Sequence, residues 1–323
     1  MSAPLFDRVA LIGIGLIGSS LARALRRDSP ETSIVACARR AETLATVRRL
    51  AIADETTDDP AEAAEGADLV VLATPLSAYE EIGRKIGPVL KEGAILSDVG
   101  SVKQAVLRDL GPHVPPSTHF VPGHPVAGTE HSGPESGFAE LFRERWCILT
   151  PPPETAPEAV AAIRRMWERF GMRVVTMSPH HHDKVLAMTS HLPHLIAYTI
   201  VGTATNLEES LKSEVIEFSA SGFRDFTRIA ASDPVMWRDI FLNNREAVLE
   251  IVQRFTEDLT ALQRAIRWGE GDTLQELFTR TRAIRRSIIE ATLAGSRFGA
   301  SSRRGEAPCR ASPDPGTFGR SGW

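Results

Sequence analysis

Apolar residues in the first half of the chain fall into short runs separated by longer amphipathic stretches. Residues 8–12 (RVALI), 33–38 (SIVACA), 67–74 (ADLVVLAT), 94–98 (AILSD), 119–121, 146–150 (WCILT) and 173–176 read as strands. Between them, the stretch after Gly18 (SSLARALRR), residues 41–50 and residues 157–170 space their apolar positions as helices. Strands that alternate with helices predict an α/β fold on a mostly parallel, doubly wound sheet. Such sheets bind ligands beyond the carboxyl ends of their strands, where Thr74-Pro75, Asp98–Ser101 and His124 fall.

After Met177 the pattern turns wholly helical. Residues 183–205 form one long stretch with Pro193 inside it, which predicts a kink. Asp183, Ser190 and His194 lie within about 20° of one face, whereas His191 points about 80° away and reads as packing. Asp233 reads as an N-cap before Pro234 at the first helical position. The helix that follows carries Ile240, Phe241, Val248, Ile251, Val252, Phe255, Leu259, Leu262 and Ile266 at three-four spacing. Gly269-Glu-Gly271-Asp272 turns it back into a partner carrying Leu274, Leu277, Phe278, Ile284 and Ile288. A hairpin with so long an apolar stripe predicts burial against a second subunit. From Gly295 the chain becomes glycine, serine, proline and arginine, too poor in aliphatic side chains to order itself. The expected boundaries are a sheet domain over 1–178, a helical domain over 179–294 and a disordered tail over 295–323.

Composition narrows the class without naming it. The 323 residues are 42% hydrophobic and 24% charged, ordinary for a soluble globular chain of two domains. A formal net charge of −4 argues against a general nucleic-acid or membrane-surface binder. Cys37, Cys147 and Cys309 are odd in number and far apart, which fits a reducing, cytoplasmic setting rather than a disulfide framework. The N-terminal apolar run is short and broken by glycine, and predicts neither signal peptide nor membrane span.

Chemistry enters first at Gly13-Ile-Gly15-Leu16-Ile17-Gly18, between a strand and a helix. Gly13 permits the tight turn, Gly15 lets backbone approach a pyrophosphate, and Gly18 lets helix and strand pack closely. The free N–H groups of the helix start receive the phosphates. The second strand normally ends in a carboxylate that accepts from the ribose 2′-OH of NAD; here it ends Ala38-Arg39-Arg40. Loss of the acid removes both an anchor for NAD and a repulsion against NADP, and two guanidinium groups can hold a 2′-phosphate. NADP is therefore favoured, with NAD possible; the alternative is that Arg39 and Arg40 flank a solvated helix start or stack on adenine.

Residues 121–137 (VPGHPVAGTEHSGPESG) hold His124 between Gly123 and Pro125, with Glu130 six residues on. Pro125 forces extended geometry on His124, and the glycines and prolines predict a loop open to a ligand. A histidine held there suits proton transfer, since its ordinary pKa is near neutral. Ser101, in Asp98-Val-Gly-Ser101-Val-Lys103, fits equally an N-cap or a hydroxyl beside a nicotinamide. Asp225 and Arg228 at i, i+3 fit either a helical ion pair or a clamp for a substrate carboxylate. His180–His182 fan out by about 100° each on a helix, so the three do not share one metal ion.

Taken together, GIGLIGSSLARAL, VVLATP, SDVGSVK, GHPVAGTEHSGPESG, HHDKVLAMTSHLPHLIAY and FRDFTRIAASDPVMWRDIFLNN resemble the prephenate/arogenate dehydrogenase family of tyrosine biosynthesis. The resemblance implies a Rossmann domain followed by an all-helical domain that dimerises. It implies oxidative decarboxylation of prephenate or arogenate, with His124 as the catalytic histidine and Ser101 beside it at the nicotinamide. It carries substrate contacts onto His194, Arg228 and Glu130, supported by Asp225, and has Trp237 reach the partner subunit's active site. The chain itself is expected to hold no metal and to engage neither nucleic acid nor membrane. A β-hydroxyacid dehydrogenase of similar layout would normally use a lysine on the helical domain, but Lys184 stands in no comparable motif. A non-catalytic dinucleotide sensor would keep the glycine loop without needing the His124–Ser101–Arg228 set.

Overall fold

Four of the five residues in the first apolar run are buried, and the run forms strand β1 (Arg8–Ile12) at the middle of a large sheet. The computed structural model describes residues 5–206, 217–218 and 220–301. After β1 come α1 (Leu16–Asp28), β2 (Ser33–Cys37), α2 (Ala41–Arg49), β3 (Glu55–Thr57), α3 (Pro60–Ala64), β4 (Leu69–Leu72) and α4 (Tyr79–Ile86). The sheet continues through β5 (Ile95–Asp98), α5 (Lys103–Leu110), β6 (His119–Val126), β7 (Trp146–Leu149), α6 (Pro157–Arg169) and β8 (Arg173–Thr176). The eight strands lie in the order β3-β2-β1-β4-β5-β6-β7-β8, parallel except where β6 meets β7.

The double winding follows from the two-residue period of a strand. Val9, Leu11, Ile34, Ala36, Leu69 and Val71 face one way, onto Leu21 and Leu25 of α1 and Ile163 and Trp167 of α6. Ala10, Ile12, Val35, Val70, Leu72 and Leu96 face the other way, onto Tyr79, Ile86, Val106 and Leu110. Both faces are buried, which is why these strands read as unbroken apolar runs rather than alternating ones. The α/β class and the mixed sheet are therefore as expected. Edge strand β3 carried no apolar signal, because Glu55-Thr56-Thr57 has only one neighbour to pair with.

Two expectations about the sheet are corrected. Strand β6 does not stop at Val121 but continues through His124, whose residue pairs antiparallel with Ile148. Pro125 had already imposed the extended conformation, and β7 supplies the partner that makes it a strand rather than an open loop. Several other strand ends fall one or two residues inside the runs that announced them.

The helical part begins with α7 (Pro179–Leu186), a π turn over Ala187–His191, and α8 (Leu192–Thr205). The kink announced by Pro193 takes this form because proline has no N–H and crowds the preceding turn. Pro179–Thr205 is by length and composition apolar enough to cross a membrane, with a hydropathy of 1.2, yet its His182, Asp183 and His191 are buried in this fold. Then follow α9 (Ser221–Thr227), α10 (Pro234–Asn243), α11 (Arg245–Trp268) and α12 (Gly271–Ser301).

The apolar stripe from Ile240 to Ile266 is not one helix, since Asn244 separates α10 from α11. Asp233 does cap α10, accepting from Val235 N and Met236 N at 2.9 Å. Helix α12 runs past Gly295 to Ser301, so the first residues of the expected tail are helical; the remainder lies outside the described residues. The chain forms two compact units, Met1–Gln253 and Arg254–Trp323.

Candidate active site

The glycine turn is held open by sterics. Gly13 has φ +98°, and a Cβ there would lie 2.5 Å from the Ala73 carbonyl oxygen. A Cβ on Gly18 would lie 2.1 Å from the Gly13 carbonyl oxygen, so neither position admits a side chain. Gly15 is different: nothing stands within 4 Å of the place its Cβ would take. It is the N-cap of α1 and offers no side-chain cap, which leaves the first N–H groups of Leu16, Ile17 and Gly18 for a ligand. Thr74 Oγ1, next to Pro75 at the end of β4, is buried with no hydrogen-bond partner. Open space at Gly15, an uncapped helix start and an orphaned hydroxyl fit a dinucleotide. Beside this turn, Gly13 N donates to Cys37 O at 2.9 Å. Ala38 follows, then the exposed Arg39 and Arg40, neither of which enters a salt bridge among the described residues.

His124 is 8% exposed and lies in a hydrogen-bonded row. Its Nδ1 is 2.8 Å from His182 Nε2, and His182 Nδ1 is 2.8 Å from Asp183 Oδ1. Asp183 also accepts from the Lys103 and Gln104 backbone N–H groups, at 2.8 and 2.9 Å. Burial works to raise the Asp183 carboxyl, but the bonds from His182, Gln104 and Lys103 outweigh it and hold it below the usual carboxylate range. An ionised Asp183 makes His182 Nδ1 the donor, which leaves His182 Nε2 as acceptor for His124 Nδ1–H. The lone pair of His124 is therefore on Nε2. Burial, then the neighbouring His182, Lys103 and His191, push the His124 imidazole well below its ordinary value. It is a neutral base with a fixed tautomer.

The same contacts decide the role of Ser101. It does not cap α5: the N-cap is Val102, and Asp183 from α7 satisfies the first N–H groups instead. Among the described residues the Ser101 hydroxyl has no hydrogen-bond partner.

On the helical side, Arg228 does not pair with Asp225. Its Nη1 donates to Glu130 Oε2 at 3.0 Å across 98 residues, while among the described residues Asp225 enters no ion pair. Thr227 ends α9 and Arg228 opens a 3₁₀ turn, so the expected i, i+3 face is broken between them. Trp237 faces inward. It is 6% exposed, packed with Ile240 in the core beside α4 and α5, and stacked on His194 at 3.6 Å.

Two residues were missed. His182 was considered only as a member of a metal cluster, yet it shares the buried phase of Leu186 four residues on, which marks it as inward-facing. His191 belongs to the site as well as to the packing. The π turn rotates it, so that Asn244 Nδ2 donates both to Asp183 O at 2.9 Å and to His191 Nδ1 at 3.1 Å. Among the described residues no group of three or more His, Cys, Asp and Glu could hold a metal ion.

A base at the carboxyl end of a sheet that also carries a dinucleotide turn invites comparison with known proteins. A family model described as "Prephenate dehydrogenase, nucleotide-binding domain" matches residues 21–176, and "Prephenate dehydrogenase, dimerization domain" matches residues 178–280. The chain belongs to the prephenate dehydrogenase family. Within it, the chain is 41% identical over 283 residues to the cyclohexadienyl dehydrogenase of Zymomonas mobilis, covering 88% of this chain and 96% of that one. It is 35% identical to the prephenate dehydrogenase of Bacillus subtilis, covering 84% of this chain and 72% of that one. The crystal structure of Aquifex aeolicus prephenate dehydrogenase with hydroxyphenyl propionate and NAD+ superposes with a TM-score of 0.81 at 34% identity, over 89% of this chain and 99% of that one. Synechocystis arogenate dehydrogenase gives a TM-score of 0.73 at 27% identity, over 87% and 99%. The sheet and the helical segments are thus those of the family.

Proposed function

We propose that this protein is a prephenate and/or arogenate dehydrogenase, carrying out the oxidative decarboxylation that yields 4-hydroxyphenylpyruvate or tyrosine. It is an oxidoreductase with a nicotinamide dinucleotide cofactor. The observation that carries the reading is the His124–His182–Asp183 row, which ends in a free, unprotonated Nε2 at the carboxyl end of the sheet.

When bound, the nicotinamide supplies the acceptor for hydride from C4 of the cyclohexadienyl ring. His124 Nε2 takes the proton of the C4 hydroxyl as the C4–H bond breaks, and Ser101 hydrogen-bonds that hydroxyl into line. Once C4 is a ketone, the bond from C1 to its carboxylate breaks, carbon dioxide leaves, and its electron pair passes through the ring to the C4 oxygen. That oxygen recovers the proton from His124, and the ring is aromatic. Asp183 and His182 stabilise the imidazolium between those two events without taking its proton. Aromatisation drives the step, so the residues have mainly to position two partners.

Arg228, with Glu130 beside it, holds the side-chain carboxylate of the substrate. An ion pair on the ring carboxylate would favour the ground state, because that charge is lost as carbon dioxide departs. His194, fixed by Trp237 and by its Nδ1 bond to Ser190 O at 2.9 Å, lines the same side. Asp225 stays near Arg228 along the chain as its polar support. NADP is the preferred cofactor, with NAD accepted, because the two exposed guanidinium groups of Arg39 and Arg40 follow an alanine where an acid would stand. The chain works as a cytoplasmic homodimer, with a nucleotide-binding domain over 1–178 and a helical domain over 179–294. Leu259, Ile266, Trp268, Phe278 and Ile284, 53–72% exposed, supply an apolar surface for the partner.

The test is growth of NAD(P)H absorbance on adding prephenate, arogenate and β-hydroxy acids in turn, with each cofactor. Turnover of a cyclohexadienyl substrate with NADP preferred, and a preference reduced in Arg39→Ala, is the expected result. Turnover of β-hydroxy acids alone would sink the assignment, and a cofactor ratio unmoved by Arg39→Ala would sink the NADP reading.

A further inference from the structure

Beneath the His124 row lies a second buried charge cluster that the mechanism above leaves unused. Asp98 ends β5 and Lys103 begins α5, and both side chains are wholly buried. Asp98 Oδ1 accepts from Lys103 Nζ at 2.9 Å and from Gly123 N at 3.2 Å. Its Oδ2 accepts from Lys103 Nζ and Gly100 N at 2.7 Å each, and from the Tyr79 hydroxyl at 3.3 Å. Lys103 Nζ also donates to the Gly123 carbonyl at 2.5 Å.

The connectivity is specific. Gly100 precedes Ser101 and Gly123 precedes His124, so one carboxylate grips the backbone N–H of the residue before each reacting group, and Lys103 Nζ grips the Gly123 carbonyl of the peptide that leads into His124. A Cβ on Gly100 would lie 2.8 Å from Asp98 Oδ2 and 3.0 Å from the Tyr79 hydroxyl, which leaves no play in that grip. Lys103 closes the loop: its side chain holds Gly123, while its backbone N–H holds Asp183, the orienter of His182.

Stability alone does not account for such a pair. Withdrawing two charges from water costs about as much as their attraction returns, and apolar replacements of buried pairs are often neutral or stabilising. What a fully hydrogen-bonded pair gives that a leucine does not is fixed geometry.

We propose that Asp98 and Lys103 are positioning residues of the oxidative step, setting the separation of the Ser101 hydroxyl from the His124 imidazole. The inference rests on the reading of those two groups given under the proposed function. Lys103 also acts as a fixed positive charge that opposes protonation of His124. The other titratable groups around that imidazole are His182, Asp183 and His191 from the helical side, Asp98 from β5, and Cys147 on β7, whose thiol burial pushes far up.

The test uses Lys103→Met and Lys103→Gln in the full chain, with dinucleotide titration counting the folded sites. In Lys103→Met, kcat per dinucleotide site should fall about 10²-fold while KM moves less than about 3-fold. The acid limb of kcat/KM should move to higher pH, since removing a positive neighbour makes His124 easier to protonate. Lys103→Gln keeps a donor for Gly123 O but not the charge. It should recover much of kcat and keep the displaced acid limb. A purely structural pair would lower only the number of sites, leaving kcat per site and the acid limb in place, and that result overturns the proposal. So does loss of dinucleotide binding in both variants, which would make the pair a requirement of the fold. Failure of the wild type to turn over prephenate or arogenate would instead overturn the function on which the inference rests.

Discussion

Lowering the pH from 8 to 5 should cost this protein stability through His191. Burial pushes that imidazole down to about 4, helped by His182 and His194 and opposed by Asp183. The geometry gives the same direction: Asn244 Nδ2 is bound to Asp183 O, so it presents an N–H to His191 Nδ1, where a second proton has no place. Unfolded, the residue titrates near 6.5. Between 6.5 and 4 the unfolded chain binds a proton that the native chain refuses, so stability is full above 6.5 and falls as pH drops through that window. One pKa unit corresponds to about 1.4 kcal/mol, so the loss at pH 5 is on the order of 2 kcal/mol, approaching about 3 below pH 4. His124 and His182 are pushed in the same direction, so wild type alone does not isolate the residue. The comparison is His191→Asn, whose amide oxygen can still accept from Asn244. Urea unfolding, followed by tryptophan fluorescence at one chain concentration, gives ΔG at pH 8 and pH 5 for both proteins. Wild type should lose about 2 kcal/mol more than the variant over that interval. Equal losses would mean that native His191 takes up the proton, and the argument from its burial and from Asn244 would fail.

Two further outcomes concern the reaction. His124→Asn should lower kcat by roughly 10²–10⁴ with dinucleotide affinity unchanged, and His182→Asn should lower it less, since it removes the orienter and not the base. Near-normal steady-state turnover in His124→Asn would end its assignment as the base. Arg228→Ala should mainly raise KM, by the roughly 2–3 kcal/mol of a lost charged partner. A fall in kcat at constant KM would place that arginine at the reacting end of the substrate.

The sequence by itself determined what depends on neighbours along the chain. Continuous apolar runs gave a sheet covered on both faces, because a strand's two sides are written in alternate residues. Gly13 and Gly18 announced a turn that only a bare backbone can make, and Pro125 fixed the extended form of His124. Tertiary structure decided everything that depends on how elements are rotated against each other. His124 meets His182 58 residues away, Asp183 caps a helix 80 residues before it, and Glu130 takes Arg228 from Asp225 across 98 residues. Spacing records the face of a helix on which a residue lies, but not which neighbour that face meets. The π turn ahead of Pro193 shows the limit most directly. A regular helix puts His191 on a different face from Asp183, and the contact that ties the His191 ring and the Asp183 carbonyl to Asn244 lies in no local pattern of apolar residues.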